Sequence, residues 1–187
     1  MKLFTLEPVE DSALVLPTNT DDANLFRELD GRPHGAVWNP VEVEIHDTEI
    51  DENGGTVPLR QVDCPWMGSH VLVARDSAIA LLRTVLQVYG ELLPLSCATA
   101  EVAVFNPGQV IDALNEERSG IERFDDGRLM FIERYVFRAE AIPDRAAFKT
   151  PEEPDGPILF TEPLVEELRR LELSGLDFAT VWDSAHS

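Results

Sequence analysis

Short strand-like runs, each ended by proline, glycine or an Asp/Asn turn, constrain the fold of this sequence more than any other feature. Residues 41–45 alternate strictly between apolar residues and glutamates, which predicts a strand with one buried and one exposed face. Residues 71–74 and 101–105 are almost wholly apolar, which predicts buried strands. The turn signals at 30–33 and 53–55 break up the N-terminal region. The chain is therefore expected to form its sheets from short strands.

The C-terminal half carries the longest apolar and aromatic run, residues 129–137. Asp125-Asp126-Gly127 precedes it and predicts a turn. Because the run is rich in aromatic and β-branched residues, we expect a central strand of the sheet. Residues 158–160 predict a short strand, and residues 178–181 predict a return to extended structure.

A helix is predicted at residues 77–89, directly after the buried strand at 71–74. Asp76 is placed to cap it, with its carboxylate accepting the first free backbone N–H groups. Large apolar residues cover most of the helix surface, which is typical of a core helix. One polar stripe is expected, formed by Ala80, Arg83, Thr84 and Gln87.

Two further helices are predicted. Residues 162–173 follow Thr161 as N-cap, with Leu164, Val165, Leu168 and Leu171 at helical spacing. Glu166 and Arg170 form an exposed i, i+4 pair, and Gly175 ends the segment with Leu176 packing back. Residues 109–117 can form a short helix with Val110, Ile111 and Leu114 on one side.

Strands in series with a few helices between them predict an α+β protein with a mixed or mainly antiparallel sheet and two to three packed helices. The 187 residues, 44% of them hydrophobic, suffice for one core, so a single domain over 1–187 is expected. Its first part, 1–62, is rich in strands and loops. The sequence has no apolar run of about 20 residues and no leader pattern, which favours the cytoplasm.

The charge balance restricts the partners. With 35 acidic against 15 basic residues the net charge is −20, which makes nucleic acid and anionic membranes improbable partners. The acidity serves either solubility and salt adaptation or attraction to a basic protein such as a nuclease. The densest acidic runs, expected to project as partner-binding patches, are Asp47, Glu49, Asp51 and Glu52, and Glu152, Glu153 and Asp155.

No motif for catalysis, metal binding or cofactor binding was found, so the sequence favours a protein that is not an enzyme and needs no cofactor or metal. Cys64 and Cys97 are interpreted as buried, unbonded residues. The histidines lack the spacing of a metal site. They are His34, His46, His70 and His186.

Two tryptophans lie beside prolines and have two interpretations. Trp38 precedes Asn39-Pro40, and Trp66 follows Cys64-Pro65. Aromatic residues in such loops can anchor an interface, which makes both candidates for partner contact. The alternative is that each covers the hydrophobic core.

A set of short motifs between residues 63 and 182 carries a family resemblance. They are Tyr89-Gly90-Glu91-Leu92-Leu93-Pro94, Phe105-Asn106-Pro107, Ile111-Asp112-Ala113-Leu114, residues 132–137, Phe148-Lys149, Phe160-Thr161-Glu162 and Leu173-Ser174-Gly175-Leu176-Asp177-Phe178. In these the chain resembles the immunity-protein family of bacterial polymorphic toxin systems usually labelled type eleven. The resemblance implies a cytoplasmic protein, encoded beside a secreted toxin, that binds and neutralises that toxin.

The leading hypothesis is therefore a non-catalytic immunity protein whose partner is a cognate toxin. Two alternatives remain. One is an enzyme whose site is assembled from dispersed Asp, Glu and His residues, and the other is an interaction module for an unrelated cytoplasmic partner.

Overall fold

The structure is a computed structural model that describes residues 1–50 and 52–186. Its strands are β1 (Lys2–Glu7), β2 (Leu14–Pro17), β3 (Val43–His46), β4 (Thr48–Ile50), β5 (Thr56–Pro58), β6 (Leu72–Arg75), β7 (Gly90–Leu95), β8 (Val102–Pro107), β9 (Gly120–Arg123), β10 (Leu129–Arg134), β11 (Ala147–Phe148), β12 (Leu159–Thr161) and β13 (Asp177–Asp183). The α-helices are α1 (Ala23–Arg27), α2 (Ser77–Leu86) and α3 (Glu162–Arg169), and short 3-10 helices span Thr20–Asp22 and Ala139–Ala141.

The two ends of the chain meet in the largest sheet, which has the order β11-β12-β1-β13. β1 and β13 run antiparallel, from Lys2 opposite Asp183 to Glu7 opposite Asp177. On its other side β1 pairs with β12. Because the first strand lies inside this sheet, the N-terminal region is part of the same domain as the C-terminal one.

A second sheet has the order β6-β8-β7, with every residue of the middle strand β8 buried. The remaining strands form the two-stranded pairs β2–β3, β4–β5 and β9–β10, and all of these named pairings are antiparallel. The predicted α+β class with a mainly antiparallel arrangement and packed helices is confirmed. The alternation at 41–45 is also confirmed, since Val41 and Val43 are buried while Glu42 and Glu44 are exposed.

The core lies where α2 and α3 pack against the two larger sheets. Leu82 and Leu86 of α2 and Leu164 and Leu168 of α3 share one buried cluster with aromatic residues of both sheets. Phe160 of β12 meets Phe178 of β13 edge-on, with ring centroids 5.4 Å apart. Removing one such buried leucine side chain typically costs about 2–5 kcal/mol. This packing fixes the positions from which the surface hairpins project.

Both predicted long helices end earlier than expected. α2 stops at Leu86, and Val88 beyond it is 73% exposed. The prediction that Asp76 caps α2 through its side chain is wrong, because its carboxylate accepts instead from Arg75 Nε at 2.8 Å and from Glu101 N at 3.3 Å. The last residue of β6 and the residue before β8 thus compete successfully with the helix for this side chain.

α3 stops at Arg169, before the predicted end at residue 173. Thr161 holds the N-cap position, but its hydroxyl accepts from Ala146 N at 3.0 Å. The predicted pair is confirmed, with Arg170 Nη2 3.7 Å from Glu166 Oε2. Gly175 follows with a φ of +79°, and Leu176 packs against the core as predicted.

The predicted helix at 109–117 is wrong. Ile111 N donates to Lys149 O at 2.9 Å, and Lys149 N donates to Gln109 O at 3.0 Å. Asn115 N donates to Val136 O at 2.8 Å. Because distant segments satisfy these backbone groups, the region runs extended and its side-chain spacing no longer follows a helix.

The predicted central strand at 129–137 is also wrong in its placement. β10 ends at Arg134 and pairs with β9 in a two-stranded hairpin. The predicted turn between them is confirmed, with Gly127 at a φ of +83°. After β10 the chain turns inward, and Phe137 stacks on Tyr135 with ring centroids 5.7 Å apart. The aromatic content therefore indicated a strand but not its position.

Candidate functional site

The first predicted acidic patch lies on the hairpin β4–β5. Asp47, Glu49 and Glu52 are exposed, whereas Asp51 lies outside the described residues. Glu49 pairs with Val57 across the hairpin. Ile50 is 71% exposed beside these carboxylates. The patch is thus an accessible acidic surface on a two-stranded element.

The second predicted patch is corrected by the structure, because only Asp155 of its three acids is exposed. Tyr135 Oη donates to Glu153 Oε2 at 2.7 Å, and Gly156 N donates to Glu153 O at 3.0 Å. These contacts fold the loop back on itself and leave Glu152 and Glu153 half-buried. Burial raises the pKa of Glu153, although the bond from Tyr135 acts against that rise.

Both predicted tryptophan anchors lie half-buried against the core. Trp38 Nε1 donates to the carbonyl oxygen of Pro94 at 2.8 Å. Trp66 N donates to Ala13 O at 3.1 Å, while its ring packs against the cluster around α2 and α3. This placement fits the alternative interpretation, in which each tryptophan covers the core.

The hairpin β9–β10 carries exposed apolar side chains that sequence patterning did not reveal. Phe124, Met130 and Phe131 are 45%, 46% and 46% exposed. The opposite face is anchored by Ile132, which is buried in a core cluster with Ile121 packed against it. The exposed residues were missed because the run 129–137 was predicted to form a central strand, whereas the structure places residues 129–134 in a two-stranded hairpin.

The arginines of this hairpin already bind other groups of the protein. Arg123 Nη2 lies 2.6 Å from Glu116 Oε2, and Arg128 Nε lies 2.7 Å from Asp126 Oδ2. Other carboxylates of this region have no Lys, Arg or His nitrogen within 4.0 Å in the described chain. These are Glu117, Glu122, Asp125 and Glu133. We call the exposed apolar residues 124, 130 and 131 together with these four acids the hairpin face.

A second unexpected feature is Lys149, which lies directly after β11 and is 0% exposed. Its Nζ makes no hydrogen bond within the described chain. Burial lowers the pKa of this amine to about 8, against a smaller opposing effect of the carboxylates of Asp155, Asp30 and Glu153. A buried ammonium without a partner is costly, so this position needs an explanation beyond packing.

His70 lies near Lys149 and shares its surroundings. Burial lowers the pKa of His70, and the charges of Lys149 and Arg27 lower it further. The carboxylate of Asp155 acts in the opposite direction. The charge of Lys149 thus disfavours protonation of His70.

Other buried polar atoms in adjoining segments also lack hydrogen bonds within the described residues. They are His34 Nε2, Asn106 Oδ1, Gln109 Oε1 and Glu152 Oε2. Asn106 Nδ2 donates to Arg32 O at 2.7 Å, which joins two of these segments. We call the group formed by Lys149, His70 and the carboxylates that act on them, those of Asp30, Glu153 and Asp155, the polar centre.

The thiols and the metal-ligating side chains give no further site. Cys64 and Cys97 are both free, as predicted, but only Cys64 is buried. Burial raises the pKa of the Cys64 thiol to about 12, which makes it unreactive at neutral pH. Among residues 1–50 and 52–186, no three His, Cys, Asp or Glu side chains are grouped to hold a metal ion.

Comparison with known proteins gave no relative: no protein-family model matches the chain, and no curated protein matches it. Within the described part of the chain, none of the helices is long and apolar enough to span a bilayer.

Proposed function

We propose that this chain is a non-catalytic cytoplasmic immunity protein that binds and neutralises a cognate bacterial toxin. The resemblance of residues 63–182 to the immunity-protein family supports this function. The structural observation that carries the proposal is the hairpin face, where three large apolar side chains are 45–46% exposed on a hairpin whose remaining carboxylates form no ion pair among the described residues.

The apolar part of the hairpin face suits a protein partner. Aromatic residues and methionine are enriched where protein interfaces are fully desolvated, and a few such residues supply most of the binding energy. Enclosing a side chain of this size contributes about 1.5–3 kcal/mol. Scattered exposed apolar residues are common on any surface, but here Phe124, Met130 and Phe131 lie on a single hairpin.

The acidic part defines the partner's chemistry. A net charge of −20 repels nucleic acid and attracts a basic protein. Because Arg123 and Arg128 are already paired with carboxylates and Arg134 donates to the Arg118 carbonyl oxygen, the remaining carboxylates of the hairpin can meet cations of the partner. A basic toxin such as a nuclease presents such cations at its nucleic-acid site, so covering that site would block its activity.

The β4–β5 hairpin adds a second acidic surface that acts at longer range. Exposed carboxylates accelerate encounter with a basic partner more than they tighten the final complex. This attraction falls as salt shortens the screening length to about 8 Å at physiological ionic strength. We assign Asp47, Glu49 and Glu52 to this steering role.

The alternative of an enzyme with dispersed polar residues has one observation in its favour, the polar centre around Lys149. Lys149 of that centre is 0% exposed, whereas a group that takes part in turnover must reach its substrate. A third reading, an interaction module for an unrelated partner, would use the same hairpin face but would leave the toxin unaffected.

Binding to the toxin domain encoded beside this gene tests the proposal. Phe131→Ser and Met130→Ser should each raise the dissociation constant measured by calorimetry at least about tenfold. This corresponds to a loss of about 1.4 kcal/mol of binding free energy. Val88→Ser, at a 73% exposed position after α2, is the matched control and should bind like the wild type. Unchanged binding by both hairpin variants would remove the hairpin face from the interface.

A further inference from the structure

The tip of the β4–β5 hairpin carries an Asn-Gly pair that the proposed function does not use. β4 ends at Ile50 and β5 begins at Thr56, so Asn53 and Gly54 lie in the turn that joins the two strands. Both residues are exposed. This pair places the electrophilic side-chain amide of Asn53 next to the backbone nitrogen of Gly54, where water reaches both groups.

Gly54 leaves its own backbone nitrogen unhindered. A Cβ built on Gly54 would meet no atom within 4 Å apart from its chain neighbours. Its φ of +79° is a conformation that residues with a side chain rarely adopt. In any other residue type the Cβ stands beside the nitrogen and hinders its approach to a neighbouring carbonyl carbon. The nitrogen after Asn53 is therefore the least hindered backbone nucleophile that a residue type can offer.

Of the six asparagines in the chain, Asn53 alone precedes a glycine. Asn39 and Asn106 precede prolines, whose nitrogen atoms carry no hydrogen and cannot act as nucleophiles. Asn24 lies in α1, where the helical backbone dihedrals hold the next nitrogen away from the asparagine side chain. These three positions therefore lack the arrangement found at the hairpin tip.

The remaining two asparagines hold their side chains in local hydrogen bonds. Asn19 Oδ1 accepts from Asp21 N at 3.1 Å, and Asn115 Oδ1 accepts from Arg118 N at 3.2 Å. In both cases the next residue carries a side chain. Asn19 and Asn115 can thus serve as internal references for any reaction of Asn53.

We propose that Asn53 is a site of self-modification, at which the side-chain amide is lost and an aspartate or isoaspartate takes its place. The co-reactant is water. The product adds one carboxylate to a hairpin that already exposes Asp47, Glu49 and Glu52. The modification goes beyond the proposed function and does not depend on it. Only the consequence that the added charge strengthens electrostatic steering rests on toxin binding.

The reaction balances with water alone. Gly54 N attacks Cγ of Asn53, and an N–C bond forms as the bond from Cγ to the side-chain nitrogen breaks. The proton lost from Gly54 N ends on the departing nitrogen, which leaves as ammonia. Water then opens the resulting five-membered imide. Its addition at Cγ gives aspartate, and its addition at the backbone carbonyl carbon gives isoaspartate.

Peptide mapping of the purified protein during incubation at body temperature and mildly alkaline pH tests this inference. Mass spectrometry detects the imide by its loss of ammonia, and chromatography separates the aspartate and isoaspartate peptides. Gly54→Ala places a Cβ beside the attacking nitrogen. Gly55→Ala is the matched control, since it adds the same methyl group to the same turn and leaves that nitrogen unchanged. The toxin takes no part in this measurement, so its outcome is independent of the proposed function.

We expect Asn53 to be converted at least about tenfold faster than Asn19 or Asn115, with both aspartate and isoaspartate formed. Gly54→Ala should slow the conversion at least about tenfold, whereas Gly55→Ala should react like the wild type. Circular dichroism of each protein checks that the fold persists. Equal rates at the three asparagines, aspartate formed without isoaspartate, or an undiminished rate in Gly54→Ala would overturn the site.

Discussion

Gly90 packs so closely against Asn106 that a Cβ atom at position 90 would collide with the carbonyl oxygen of Asn106. The same atom would lie 2.8 Å from the Phe105 ring and 2.9 Å from Gly108 N. This close approach lets β7 pack directly against β8 and lets Asn106 Nδ2 donate to Glu91 Oε1 at 3.0 Å. Gly90 is thus a packing requirement of this sheet.

Gly90→Ala should therefore lower the free energy of unfolding by about 1–3 kcal/mol, because the backbone of β7 must shift away from β8. Gly108→Ala is a matched control, since its Cβ would meet Gly90 Cα at an ordinary 3.5 Å. Urea denaturation of both variants measures the difference. Equal stability of the two variants would show that the sheet absorbs the added methyl group.

Replacement of Lys149 by methionine should remove a pH dependence of stability. In the folded protein the pKa of Lys149 is about 8, below the ordinary 10.5, so the unfolded chain binds more protons between these pH values. Stability of the wild type should rise with pH across this window, by at most about 3 kcal/mol, and the variant should lack that rise. Below pH 8 the variant should be the more stable protein, because the wild type then buries a charged amine.

Urea denaturation at pH 7, 8, 9 and 10 provides this comparison. The difference between wild type and Lys149→Met isolates Lys149 from other groups that titrate at high pH. Parallel stability curves for the two proteins would mean that the amine reaches solvent or a partner in the folded state.

Reversal of charge on the β4–β5 hairpin should slow association with a basic toxin. Glu49→Lys combined with Glu52→Lys should lower the association rate several-fold at low salt and have little effect at high salt. Glu10→Lys combined with Glu140→Lys makes the same change in net charge at other exposed positions. Stopped-flow measurements over a salt series separate the effect of charge on this hairpin from the effect of net charge. Equal association rates for the two double variants would show that only the net charge matters.

The sequence predicted those elements whose signals are local. The alternation at 41–45 fixed the two faces of β3 because side chains of a strand point alternately to either side. Residues 109–117 were mispredicted as a helix because their backbone partners, Lys149 and Val136, come from distant parts of the chain. No pattern within residues 109–117 indicates partners so distant in the sequence.

The sequence predicted a candidate site correctly only where the prediction required nothing more than exposed side chains. Asp47, Glu49 and Glu52 of the first acidic run are exposed at a hairpin, as the composition indicated. Glu153 is half-buried because Tyr135, 18 positions earlier, binds it. Lys149 gave a weak signal, a lysine after the apolar stretch 146–148 in a chain that uses arginine almost throughout. Its burial depends on segments far apart in sequence and could not be deduced from that stretch.

The central claim is that this protein neutralises a toxin by binding it, and a titration tests that claim most directly. The activity of the toxin domain that the proposal expects beside the gene would be measured at fixed concentration against increasing amounts of this protein. We predict that inhibition grows linearly to a sharp endpoint at a fixed molar ratio, with both proteins unchanged in mass. Complete inhibition at far below stoichiometric amounts, with a covalent change in the toxin, or no inhibition at molar excess would contradict it.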